Sequence, residues 1–163
     1  MNIKDILLFS LVILSFSACA QQDPNAKNSE NNPPYAVVKS AEEWKAELSS
    51  QEYYVLREKG TERPFTGDLL SNKKTGIYTC RACAYPLFQS KTKFDSGTGW
   101  PSFYAGIEGN IEEDKDMSLG VPRVEVLCEN CGGHLGHVFD DGPAPTGLRY
   151  CVNSASLDFL EKE

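Results

Sequence analysis

Two Cys-x-x-Cys units, Cys80-Arg-Ala-Cys83 and Cys128-Glu-Asn-Cys131, constrain this chain more than any other feature. Each unit ends a predicted strand and offers two sulfurs at fixed separation, so the pair suits one tetrahedral zinc ion. Gly132, directly after the second unit, lets the backbone turn tightly round a metal-bound sulfur. The 44 residues between the units (84 to 127) exceed the ~15–20 of an ordinary zinc ribbon. A substantial β substructure is therefore expected between them, clipped at its base by the metal. Two other readings stay open at this point. An exported location would favour disulfides, and a thioredoxin-type dithiol would use the same spacing at a helix N-terminus, which is not signalled after either strand.

The other two of the six cysteines are Cys19 and Cys151. If zinc takes four, Cys151 is the one free thiol of the folded part. An extended Arg149–Asn153 segment puts Arg149, Cys151 and Asn153 on one face and Leu148, Tyr150 and Val152 on the other. Both histidines of the chain, His134 and His137, lie shortly before. A cysteine between a cation and an amide, near two histidines, is a candidate thiolate nucleophile with a lowered pKa. Plainer roles stand beside this one. Lone cysteines are often inert, Arg149 has Asp140 and Asp141 within reach, and Trp100 suits core packing. A regular strand puts His134 and His137 on opposite faces, unless Gly136 admits a bulge.

The chain opens with MNIKDILLFSLVILSFSA, an apolar run too short to span a bilayer but fit for an export signal over residues 1–18. Ser15-Phe-Ser-Ala-Cys19 is similar to a bacterial lipoprotein cleavage site, with Cys19 lipidated; a soluble exported protein cut nearby is the alternative. This predicts an exported, membrane-anchored protein facing the periplasm or cell surface. Residues 19–39, rich in Asn, Gln and Pro, read as a flexible tether with a reach on the order of 25 Å. Residues 40–163 form the expected folded domain. Ser40-x-x-Glu43 and Ser49-x-x-Glu52 are capping boxes that predict two short helices, the second stopping at Gly60. Beyond Thr61 periodicity turns to two, with strands at Gly76–Cys80, Val121–Leu127 and Leu148–Val152. The net charge of −7 argues against a nucleic-acid partner.

Several stretches together resemble the methionine-R-sulfoxide reductase B (MsrB) family. They are VLREKGTERPFTG from Val55, KFDSGTGWPSF from Lys93, GHLGHVFDDGP from Gly133 and PTGLRYCVNS from Pro145. The resemblance implies a mainly β fold of two antiparallel sheets with short N-terminal helices, and a structural zinc held by Cys80, Cys83, Cys128 and Cys131. It implies reduction of methionine-R-sulfoxide in proteins or peptides by Cys151, leaving a sulfenic acid. His134, His137, Arg149 and Asn153 match family positions around the nucleophile, and Trp100 matches the residue that packs on the substrate methyl group. Where many members carry a resolving cysteine before the tryptophan, this chain has Thr98. An external thiol or thioredoxin-like reductant is therefore expected to complete the cycle. The rival functions are a zinc-ribbon binding module without chemistry and a cysteine hydrolase; nothing marks an acyl site or oxyanion hole for the latter.

Overall fold

The computed structural model describes residues 35–162. The expected export signal, Cys19 and the first part of the expected tether lie outside these residues. Both capping boxes form. Ser40 Oγ accepts the Glu43 N–H at 3.2 Å, while the Glu43 carboxylate accepts the Ser40 N–H at 2.7 Å, opening α1 (Ala41–Glu47). Ser49 and Glu52 repeat the pattern at 3.3 and 2.8 Å and open α2 (Ser50–Glu58). The helices bury Trp44, Val55 and Leu56 and leave their charged faces in water.

The end of α2 differs from expectation. Lys59, not Gly60, takes the left-handed conformation, with φ +56°. Gly60 serves another purpose: a Cβ there would sit 2.2 Å from the Tyr54 ring, and its N–H donates to Tyr54 O. Tyr35–Lys39, assigned to the tether by sequence, is also docked. Tyr35 Oη donates to Glu112 at 2.9 Å, the Val37 N–H donates to Asn130 O, and the Tyr35 ring covers Gly132.

The described residues hold nine strands in two antiparallel sheets, as expected. β1 (Gly76–Cys80) lies between β2 (Pro86–Gln89) and β9 (Leu157–Glu161). The larger sheet runs β3 (Lys93–Phe94), β4 (Ser102–Phe103), β8 (Arg149–Val152), β7 (His134–Phe139), β6 (Arg123–Cys128) and β5 (Ile111–Asp116). Aromatic rings join the sheets. Phe88 of β2 stacks on Phe103 of β4 at 4.3 Å, and Tyr78 of β1 meets Phe103 edge-on at 5.0 Å. Full burial of each such ring stabilises the fold by about 1.5–3 kcal/mol. β5 is an edge strand whose middle, Glu113-Asp-Lys115, is exposed, so charge blunts the open edge. No helix among the described residues is long and apolar enough to cross a membrane.

Candidate active site and zinc site

The two cysteine knuckles come from different sheets. Cys80 ends β1 and Cys128 ends β6, and the four Sγ atoms lie within 4.8 Å of one another. Cys80 and Cys131 are 3.8 Å apart at sulfur, and Cys83 and Cys128 are 3.6 Å apart. Disulfides need ~2.05 Å, whereas a tetrahedral ion with Zn–S of ~2.3 Å needs edges of roughly 3.8 Å. The cluster fits a structural zinc that clips the sheets together. The dithiol alternative fails on geometry, because each Cys-x-x-Cys closes a turn and opens no helix. The knuckles are near copies. Ala84 and Gly132 both take positive φ (+57° and +65°), and both donate an N–H at 2.8 Å to the carbonyl of the first cysteine of their unit. Only the second has the glycine that this backbone prefers.

Cys151 sits in β8 with Ser102 of β4 opposite on one side and His137 of β7 opposite on the other. It lines a pocket of ≈130 Å³ together with Trp100, His137 and Asn153, four of the residues expected from sequence, and with Arg123 and Phe139. His134 and Arg149 are not among its lining residues. Arg149 is held by Asp141 through two hydrogen bonds, 2.8 and 2.9 Å, and lies over the Phe139 ring at 4.4 Å, close enough for its charge to act on Cys151. The expected lowering of the thiol pKa is not met. Burial pushes the Cys151 thiol up, and the Thr98 hydroxyl and the Arg149 charge only partly oppose it. Thr98 Oγ1 lies 3.9 Å from the sulfur and starts a chain of hydroxyls, to Ser96 at 2.8 Å and on to Ser102 at 2.7 Å. Ser102 then donates to Trp100 O at 3.2 Å.

The histidines do share a face, with ring centroids 5.5 Å apart. Each is tied to a carboxylate that sequence reading missed. His134 Nδ1 meets Glu125 at 2.7 Å, and Lys59 pairs with the same carboxylate at 2.6 Å. His137 Nε2 meets Asp116 at 2.7 Å, and Asp116 also accepts from Arg123. Hydrogen bonds from Ser118 and then from His137 hold Asp116 well below the usual carboxylate range. Burial, the larger effect, lowers the His134 pKa against the pull of Glu125. Its Nε2 is buried without a hydrogen-bond partner among the described residues.

A third missed carboxylate braces the wall. Glu62, 5 % exposed, accepts the N–H groups of Ser154 (2.6 Å) and Ala155 (2.8 Å). Its own N–H donates to Asn153 Oδ1, and its carbonyl accepts from Trp100 Nε1 at 3.1 Å. Burial pushes its carboxyl upward against these two backbone donors. Asn153 Nδ2 also donates to Leu135 O, so one amide proton remains for the pocket.

A family model described as "SelR domain" matches residues 48–161. The chain belongs to the SelR family. "Peptide methionine sulfoxide reductase MsrB" of Methanosarcina barkeri is 59 % identical to this SelR chain over 129 residues, covering 78 % of this chain and 91 % of the relative. Proteins of the same name from Alteromonas mediterranea and Leptospira interrogans are 62 % and 58 % identical, over 72 % and 78 % of this chain and 83 % and 98 % of their own lengths. The matched span holds both cysteine knuckles, all nine strands and every pocket residue named above. None of the missed carboxylates left a signal in sequence: Glu125 alternates with Val124 and Val126 as a surface residue of a strand also would.

Proposed function

We propose that this chain reduces methionine-R-sulfoxide in peptides or proteins to methionine, with Cys151 as nucleophile. The observation that carries the reading is the ≈130 Å³ pocket, which joins a thiol, an indole and a histidine in a SelR domain. Ligand pockets for whole small molecules run to about 300–1,000 Å³, so this one is of a size for a single side chain.

The Trp100 face receives the S-methyl group, because methyl and sulfur contacts with aromatic rings are favourable. The Cys151 thiolate attacks the sulfoxide sulfur. The oxygen takes up a proton and passes as hydroxyl to the cysteine sulfur, as the S–O bond of the substrate and the transient S–S bond both break. His137 is placed to deliver the proton, with its ring oriented by Asp116, and the free N–H of Asn153 steadies the developing negative charge. His134 and Arg149 act without lining the pocket, His134 packed edge-on against His137 and Arg149 through its charge on Cys151. Methionine leaves, and Cys151 remains as sulfenic acid. One external thiol converts it to a mixed disulfide and water, and a second releases the cysteine. Thr98 at 3.9 Å from the sulfur, where a resolving cysteine would stand, supports external reduction. With methyl and oxygen both placed, one epimer alone presents its sulfur to Cys151. Zinc supplies structural cross-linking and takes no part in these steps. A zinc-binding module without chemistry leaves the thiol-bearing pocket unexplained.

Turnover of separated R and S epimers with a chemical dithiol tests the proposal. R should be consumed and S spared, and Cys151→Ser should abolish turnover while keeping fold and zinc. Undiminished turnover by Cys151→Ser would overturn the assignment. An intramolecular disulfide at Cys151 in the oxidised enzyme would overturn external reduction.

The apolar run over residues 1–18 and the cysteine that follows support export and lipid attachment at Cys19, with residues beyond it as a tether to the membrane. Several acyl chains would hold such a protein firmly. Fatty-acid labelling that survives Cys19→Ala would rule this out.

A further inference from the structure

A second, larger cavity adjoins the Cys151 pocket at Trp100. This groove of ≈700 Å³ is lined by Phe65, Lys73, Lys74, Lys93, Asp95 and Trp100, among others. Trp100 is a wall of both the groove and the Cys151 pocket. The pocket has room for one side chain, so the polypeptide carrying it must lie outside, and the groove is the adjoining concave surface. Phe65 stands at its edge, 69 % exposed and in the left-handed region (φ +65°), with its N–H donating to Gly99 O at 2.8 Å. L residues rarely adopt that backbone, and it persists where the surroundings fix it.

The groove is basic in a chain of net charge −7: three lysines face one carboxylate, Asp95. Lys74 is paired with Glu161 at 2.6 Å. Lys93 donates to the carbonyls of Leu70 (2.6 Å) and Asn72 (3.1 Å), so neutral groups hold its charge. Lys73 has no hydrogen bond or ion pair among the described residues. Burial, and then the like charge of Lys73, lower the Lys93 pKa, with Asp95 opposing; an anion entering the groove would relieve both cations.

We infer that this groove seats the substrate polypeptide next to the methionine sulfoxide and favours segments bearing an acidic side chain. The inference rests on the reductase reading above. It is tested with peptides carrying methionine-R-sulfoxide and either Asp or Asn two residues to one side or the other, beside N-acetyl-methionine-R-sulfoxide. At low ionic strength kcat/KM for one of the Asp peptides should exceed that of its Asn partner by about threefold, the scale of an exposed charge pair. The difference should vanish in ~0.5 M salt. Lys73→Glu should reverse the preference and leave turnover of the N-acetyl compound unchanged. Equal kcat/KM for Asp and Asn peptides in both placements would overturn the groove assignment, as would an equal loss on all substrates in Lys73→Glu. Failure of the wild-type protein to reduce even the N-acetyl compound would instead overturn the reductase reading.

Discussion

The hydroxyl chain beside Cys151 makes a prediction of opposite signs at its two ends. Each hydroxyl has one proton to give. Ser102 donates to Trp100 O, which can only accept, so Ser96 donates to Ser102 and Thr98 to Ser96. In that sense the Thr98 proton points away from the sulfur, which suits a protonated thiol that donates to Thr98. When Cys151 ionises, the chain reverses: Thr98 donates to the thiolate, Ser96 to Thr98, Ser102 to Ser96, and the 3.2 Å bond to Trp100 O is given up. Thr98→Val removes the one hydroxyl that reaches the thiolate among the described residues. A net hydrogen bond of ~1 kcal/mol corresponds to roughly fivefold less thiolate at neutral pH. Ser102→Ala removes the acceptor that holds the chain in the thiol sense, and should raise the thiolate fraction by about two- to fivefold. The assay is the pH dependence of iodoacetamide alkylation of the zinc-loaded protein, with a Cys151→Ser blank subtracted. Because burial already raises the Cys151 pKa, the wild-type rate should still be climbing above about pH 8.5, the free-thiol midpoint. The Thr98→Val profile should lie to the alkaline side and the Ser102→Ala profile to the acid side. Two profiles that move together, or do not move, would refute the reasoning.

Three further outcomes follow from the scaffold. Removing zinc with a strong chelator under reducing conditions should lower the thermal midpoint by at least ~10 °C, since structural zinc contributes on the order of 10 kcal/mol in small zinc domains; an unchanged melting curve on loss of metal would disprove the cross-link between sheets. Glu62→Gln sets an amide NH2 against one of two buried N–H groups and should destabilise the fold by about 1–3 kcal/mol. Urea unfolding reads this, and a shift below a few tenths would show that the brace is dispensable. Ala84→Gly relaxes a left-handed alanine worth roughly 1–2 kcal/mol, offset by ~0.4–1 kcal/mol of added freedom in the unfolded chain. The midpoint should rise by about 2–4 °C, and a fall would mean that the Ala84 methyl packs to more effect than its strain.

What could be read from the chain alone was whatever is local or spaced. Capping boxes join residues three apart, and each knuckle joins two cysteines three apart, so both were visible and both formed. The carboxylates of the site were not. Glu62 reaches Ser154 across 92 positions and Lys59 reaches Glu125 across 66, and nothing in a single sequence distinguishes a buried carboxylate from a surface one. β5 was missed for a related reason. Ile111–Asp116 carries five charged residues, and only pairing with β6 makes it a strand. Thr98 was legible as a missing cysteine, yet its place in a hydroxyl chain depends on Ser96 and Ser102 folding back on the same side.

The two histidines show how one residue of register can decide a site. In a regular ladder continuing from Glu125↔His137 and Val126↔Gly136, Leu127 would oppose Leu135 and Cys128 would oppose His134. His134 would then lie on the face away from His137. The observed partner of Leu127 is His134, so Leu135 is the extra residue of a β-bulge. That single insertion returns His134 to the face of Glu125 and His137, where its Nδ1 finds the Glu125 carboxylate. It also fixes the neighbouring strand: the Leu135 carbonyl accepts from the Asn153 N–H and from its side-chain amide. Gly136 is needed beside the bulge because a Cβ there would lie 2.0 Å from the Cys151 carbonyl oxygen. The bulge lies at Leu135 and the close approach at Gly136, and together they bring the strand of Cys151 against the paired histidines.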